Sequence, residues 1–282
     1  MRQFRIKNSK GFVYDLTVNK KDFLHNVSGL GFSTNVDYKR VANIYKRLSD
    51  NLEQGVIQGT IHFFNDTTPH KRYFELVNFL QEKPLTLEYD VEEVNKTFYR
   101  GGTVTDLTFD EKSPLSADLT FTCTTLWYER EDKIIKPSSG GAESGGKRYN
   151  YRYNYTYSDT ESNTVVYDIT TNEASPVKLS LYGKLVNPVW VHYVNGKEVA
   201  RGKVNYTINE GYMLVIDTTN IPYTIVEYDT QGNKVIDLYN FSDFSTKRFI
   251  YLEAGQNVIA VTDDNANEVM VKAEAMVTYA SV

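Results

Sequence analysis

The stretch Thr68 to Tyr89 limits the chain more than any other, because it reads as one amphipathic helix in a sequence otherwise patterned as strands. Thr68 suits the N-cap, where a side-chain oxygen can accept from a first-turn N–H. Pro69 suits the first helical position, where a missing N–H costs nothing. Tyr73, Leu76, Val77 and Leu80 then fall at i, i+3, i+4 and i+7 and make one apolar stripe, which Phe74 widens. Lys83 precedes Pro84, and a residue before proline avoids the α region, so the spacing predicts a helix over 69–83. Leu85, Leu87 and Tyr89 next alternate with polar residues, as in a strand with one buried face. A lone amphipathic helix feeding a strand must bury its stripe against a β-sheet.

The flanking sequence supplies that sheet. Phe4 and Ile6, then Phe12, Tyr14, Leu16 and Val18, predict two short strands turned at Asn8–Gly11. Gly29-Leu30-Gly31 reads as a bulge or turn, since it lacks the third glycine and following helix of a dinucleotide site. Ile57, Gly59, Ile61 and Phe63 alternate, ending at Asn65-Asp66; Phe98–Arg100 and Val104–Phe109 read as two further strands. Leu119, Phe121 and Cys123 share a face in a strand running on to Leu126-Trp127-Tyr128. Val36 to Leu52 supports two readings. Val41, Ile44, Tyr45, Leu48 and Leu52 keep helical spacing, yet the segment is polar and has no continuous apolar face.

A Gly/Ser-rich run, Lys136 to Gly146, cannot bury a core and marks a domain boundary. Tyr149, Tyr151, Tyr153, Tyr155 and Tyr157 then stand at period two on one strand face, suited to covering a neighbouring sheet or subunit, or to stacking on sugars or bases. From Val177 the chain is strand after strand, with turns at Asn187-Pro188, Asn195-Gly196, Asp229–Gly232 and Ala254–Asn257. The closing strand places Val269, Val271, Ala273, Ala275, Val277 and Tyr279 on one face. This predicts a mainly β protein with two domains. Residues 1–136 form a β-sandwich-like unit with the helix and an arm over about 36–56; residues 137–158 are linker and Tyr-rich strand; residues 159–282 form a jelly-roll β-sandwich.

Chemistry is thinly represented. The chain of 282 residues has a net charge of −5, with the acidic excess in its second half and no basic block, so no dedicated nucleic-acid surface is expected. A DNA passage is compatible, because its walls need not attract phosphate. The one cysteine, Cys123, permits no internal disulfide and reads as a buried, inert thiol. The start lacks an apolar signal region and no long apolar run exists, so synthesis in a cytoplasm without membrane insertion is expected. The four histidines are isolated in sequence. Glu92 and Glu93 are adjacent, and as strand neighbours would face apart, which rules out flanking one glycosidic bond. Asp263, Asp264, Asn265 and Asn267 could offer oxygens to calcium but read better as a solvated hairpin tip. No catalytic residue, cofactor or metal site is assigned, and no enzyme is expected.

The order of short N-terminal strands, Gly29-Leu30-Gly31-Phe32, polar arm, Gly59-Thr60-Ile61-His62-Phe63, helix, Leu85–Tyr89, Phe98-Tyr99-Arg100 and Leu126-Trp127-Tyr128 resembles the distal tail proteins of long, non-contractile-tailed phages and prophages of Gram-positive bacteria. Asn187-Pro188 and Leu252–Asn257 fit its second half. The resemblance implies a structural virion protein made in the host cytoplasm and placed at the tail tip. It implies a hexameric ring from the first domain and an outward, galectin-like second domain. The implied partners are further copies of the chain, the tail tube protein, a tail-associated fibre or lysin protein and a receptor-binding protein, with DNA only as passing cargo. It also implies that the arm is an extended hairpin, which we adopt over the helical reading because a polar helix depends on packing the sequence does not supply. Tyr38, Val41, Ile44, Tyr45, Leu48 and Leu52 are the expected assembly residues. The competing reading is a carbohydrate-binding module contacting cell-wall glycans through its jelly roll, with Trp190 and Tyr193 as candidate contacts.

Overall fold

The structure, a computed structural model, describes residues 2–17, 22–63, 68–111, 115–135, 163–265 and 269–282. The Gly/Ser run at 136–146, the tyrosine stripe at 149–157 and Asn267 lie outside the described residues. The chain divides into two compact units, Met1–Glu129 with Thr278–Val282, and Arg130–Val277.

The first unit contains β1 (Arg2–Lys7), β2 (Val13–Asp15), β3 (Asp22–Ser28), β4 (Thr34–Val41), β5 (Ile44–Leu52), β6 (Val56–Phe63), α1 (Pro69–Leu80), β7 (Leu85–Val91), β8 (Lys96–Asp110), β9 (Ser116–Cys123) and the start of β10 (Trp127–Ile135). Antiparallel pairing runs β10-β8-β7-β1-β2, and β8 also leads through β9 and β6 to β3. The alternating residues fill the core as their period demands: Leu85, Leu87 and Tyr89, and Leu119, Phe121 and Cys123, are all buried. Two expected boundaries change. Phe98–Phe109 is a single long strand, with a register shift between Val104 and Asp106 where two strands were expected. The strand expected from Leu119 to Tyr128 breaks after Cys123 and resumes at Trp127. Glu92 and Glu93 lie in a short 3-10 turn, not in a strand.

The helix ends at Leu80, three residues earlier than expected, and Thr68 makes no side-chain cap bond. It packs toward β6, burying Leu76 and Leu80 with Tyr73 and Val77 half-buried. Phe74 does not widen the stripe: it is 63% exposed and meets Tyr73 edge-on. Arg72 is the unexpected buried member. It reaches Asp22 on β3 and lies over the Phe63 ring, tying helix to sheet edge. Leu76, wholly buried, is expected to cost about 2–5 kcal/mol when changed to alanine, because the cavity collapses only partly. Urea melts of wild type and L76A measure this; a loss under about 0.5 kcal/mol would mean that the stripe is not core.

The second unit contains the rest of β10 with β11 (Thr164–Ile169), β12 (Ser175–Tyr182), β13 (Leu185–Val186), β14 (Val189–Val194), β15 (Lys197–Lys203), β16 (Thr207–Ile208), β17 (Met213–Asp217), β18 (Thr224–Tyr228), β19 (Lys234–Asp237), β20 (Tyr251–Leu252), β21 (Gly255–Thr262) and β22 (Met270–Tyr279). One sheet runs β19-β18-β17-β12-β22-β10 and the other β11-β21-β14-β15. The two pack as a β-sandwich: Tyr167 of β11 is wholly buried and donates its hydroxyl to the Ala273 carbonyl of β22, 2.9 Å away. Asn195 and Gly196 join β14 to β15 with φ of 49° and 78°, the left-handed pair that a two-residue hairpin needs.

Trp190 is wholly buried and donates its indole N–H to the Arg248 carbonyl at 2.7 Å. Gly202 opposite it has no alternative, since a Cβ there would lie 2.1 Å from the indole ring. His192 is also buried, its Nε2 lying 3.0 Å from Asn257 Oδ1. That oxygen already accepts the Glu253 N–H, while the Asn257 amide nitrogen donates to Glu253 and Gly255 carbonyls, so Nε2 is the donor. Burial, the largest cause, lowers the His192 pKa from 6.5. A depressed folded-state pKa gives stability that is full above the unfolded value and is lost as pH falls below it. Unfolding of the second unit in urea is therefore expected to become easier as pH drops from 7 toward 5, and His192→Gln is expected to flatten that dependence.

Candidate assembly interface

Strands β4 and β5 pair with each other and with no other strand among the described residues. They form the extended arm, and the helical spacing of Val41 to Leu52 is overridden by this pairing. The base is fixed. Gly29 enters with φ of 83°, and a Cβ there would lie 1.9 Å from the Val56 carbonyl oxygen. Gly55 leaves against Arg100, whose Nη2 would lie 1.9 Å from an added Cβ. Between them the Glu53 N–H donates to the Ser33 carbonyl at 2.9 Å and the Trp127 indole donates to the Leu30 carbonyl at 3.1 Å. Gln54 also donates to the Cys123 carbonyl at 2.8 Å. Sequence reasoning read Gly29 as a turn but gave Gly55 no role, because the constraint is a side chain 45 positions away.

Beyond the base the arm is bare. Tyr38, Val41, Ile44, Tyr45 and Leu48 are all more than half exposed, reaching 72% at Ile44; Leu52, at the base, is half-buried. The sequence repeats Tyr-Lys-Arg at 38–40 and 45–47. Antiparallel register sets Tyr38 opposite Arg47, Lys39 opposite Lys46, Arg40 opposite Tyr45 and Val41 opposite Ile44. Opposite residues share a face, so one face carries two Tyr–Arg pairs and the other two lysines behind an apolar tip. Arg47 meets Asp50, while Lys39 and Lys46 face each other as like charges. An apolar, cationic hairpin of this kind can add to another chain's surface. The repeat was the available signal, and it gains meaning only from the register.

The other sequence candidates separate. Trp190 is a core residue, not an exposed glycan contact, because its ring fills the space Gly202 leaves. Tyr193 is half-buried beside a shallow concavity with Gln256 and Val258. Asp263 accepts the Val186 N–H and Asp264 the Asn187 amide, so both close a turn. Cys123 is free and buried, and burial pushes its thiol pKa up. No helix among the described residues is long and apolar enough to cross a membrane.

The described residues of the first unit thus make an antiparallel β unit with one helix and a bare hairpin arm. Residues 3–124 match the family described as distal tail protein, N-terminal domain, so the first unit is a domain of that kind. Over its whole length the chain shares the fold of a protein in the phage P2 baseplate in its activated conformation with calcium, at 22% identity and a TM-score of 0.67, covering 100% of both chains. The SPP1 Dit protein, described as a paradigm of hub adsorption apparatus in phages infecting Gram-positive bacteria, matches at 13% identity and a TM-score of 0.60, covering 97% of this chain and 98% of that one. No curated protein matches the sequence.

Proposed function

We propose that the chain is a structural hub of a phage tail tip, closing into a hexameric ring that joins the tail tube to a tail-associated fibre or lysin protein. The observation that carries this is the arm, a two-stranded sheet with an apolar tip and no covering strand among the described residues. A ring needs a heterologous contact in which one patch meets a different patch on the next copy. The arm tip is one patch. The other is the outward face of β6, β9 and residues 103–110 of β8, which carries Asp106, Asp110 and Asp118, and these stretches hold no Lys or Arg. There Thr60 donates to Asp118 at 2.7 Å and Thr108 to Asp106 at 3.0 Å, leaving further carboxylate lone pairs for cations. The likeness to baseplate and hub proteins supports the same reading. The second unit serves as the platform for receptor-binding components, its two-sheet sandwich playing the galectin-like part. The carbohydrate-module alternative loses Trp190 to the core. Negative-stain images of purified protein test the proposal: six-fold rings with a central hole are expected, and a field of single two-lobed particles would count against it.

A further inference from the structure

We infer that the second unit carries an oligosaccharide-binding cleft, at a place distinct from the arm and independent of the tail-hub reading. The cleft, of about 460 Å³, is lined by Tyr223, Thr224, Asp237, Tyr239, Asn240 and Phe249. That volume lies in the range of small-ligand sites. Three rings converge on it: Tyr239 lies near-parallel to Phe249 with centroids 6.3 Å apart, and Tyr223 tilts against Phe249 at 5.2 Å. Tyr239 is 38% exposed, and Phe244 beside it 57%.

These rings are braced. The Arg248 guanidinium carbon lies 4.7 Å from the Tyr239 centroid, 4.2 Å from Phe244 and 5.4 Å from Phe249. Its Nε is buried without a hydrogen-bond partner among the described residues, and the guanidinium packs on these rings with its charge near Asp243. Its carbonyl is the acceptor for the buried Trp190 indole, which ties the segment to the sandwich core. The polar wall is equally fixed. Asp237 accepts the Tyr239 N–H at 3.1 Å and Lys234 Nζ at 3.0 Å, and these donors hold its pKa below the ordinary carboxylate value. Each carboxylate oxygen keeps a second lone pair, and the Asn240 amide and Thr224 hydroxyl add donors and acceptors.

Flat rings sharing one cleft with a carboxylate, an amide and a hydroxyl match a pyranose, which offers apolar C–H faces and rim hydroxyls together. A nucleic acid would bring phosphate toward ionised Asp237. An apolar peptide would bury Asp237 and Asn240 without partners, which costs free energy. Sequence reading missed the cleft because its residues come from three separated segments around β18, β19 and the loop before β20.

Saturation-transfer NMR and calorimetry with maltotetraose, cellotetraose and chitotetraose test the inference on the full chain. At least one probe is expected to bind. Tyr239→Ala is expected to weaken it at least about tenfold with the fold unchanged by circular dichroism, and exposed Asn240→Ala gives a second reading that leaves the rings intact. Tyr193→Ala is expected to leave binding unchanged. Absence of binding by all three probes at millimolar concentration would overturn the inference. So would binding that survives Tyr239→Ala, or self-association through these rings without sugar uptake.

Discussion

Changing Asp22 to alanine is expected to destabilise the first unit by about 3–5 kcal/mol, the range for breaking one side of a buried ion pair. Asp22 and Arg72 are each only 8% exposed. Asp22 also accepts the Tyr14 hydroxyl at 2.5 Å, and burial first, then Asp22 itself, raises the Tyr14 pKa, so that hydroxyl stays a donor. Removing the carboxylate takes the Asp22 ion pair away from the buried Arg72 guanidinium, which lies over Phe63 at the junction of α1 and β3. Most of the cost comes from desolvated charge, so removing both partners should recover part of it: Asp22→Leu with Arg72→Met is expected to be clearly more stable than Asp22→Ala, yet short of wild type because the Tyr14 hydroxyl still loses its acceptor. Urea unfolding of the two variants separates the cases. A loss under about 1 kcal/mol for Asp22→Ala, or no recovery in the double variant, would mean that the pair is not what pins the helix.

Legibility in the sequence followed the range of the interaction. Period-two alternation is local, so Leu85–Tyr89 and Leu119–Cys123 were readable as strand faces, and the Asn195-Gly196 turn was readable from two residues. Helix polarity was readable from Pro69 and the Leu76/Leu80 spacing. Its buried cation was not, because Arg72 lies at a polar-looking position and its partner is 50 residues earlier. Trp190 looked like a surface aromatic on an alternating strand, and only the glycine at 202 on the neighbouring strand shows why it is core. The arm shows the sharpest conflict. Its apolar spacing fits a helix, yet the cross-strand pairing of Tyr38 with Arg47 and Val41 with Ile44 prevails. The family resemblance, not periodicity, carried the correct choice.

Assembly through that arm is the second large expected effect, because it is all or none. The hairpin is closed at Asp37 opposite Ser49, where the Ser49 hydroxyl donates to Asp37 at 2.7 Å. Replacing residues 38–48 by an Asn-Gly turn would cap the arm there and leave the base contacts of Gly29, Glu53, Gln54 and Gly55 untouched. The variant should fold and melt like the parent, since the removed side chains are exposed. What it loses is the apolar tip and the lysines at 39 and 46, one of the two patches that a closing ring requires.

Light scattering coupled to size exclusion, run on the intact protein and on this shortened form, tests the central claim most directly. The intact protein is expected at a mass about six times the 32.4 kDa of one chain, and the shortened form at the mass of one folded chain. An intact protein that stays monomeric at every concentration, alone and with the tail tube and tail-associated proteins, would contradict the hub. A shortened form that still assembles would contradict the arm.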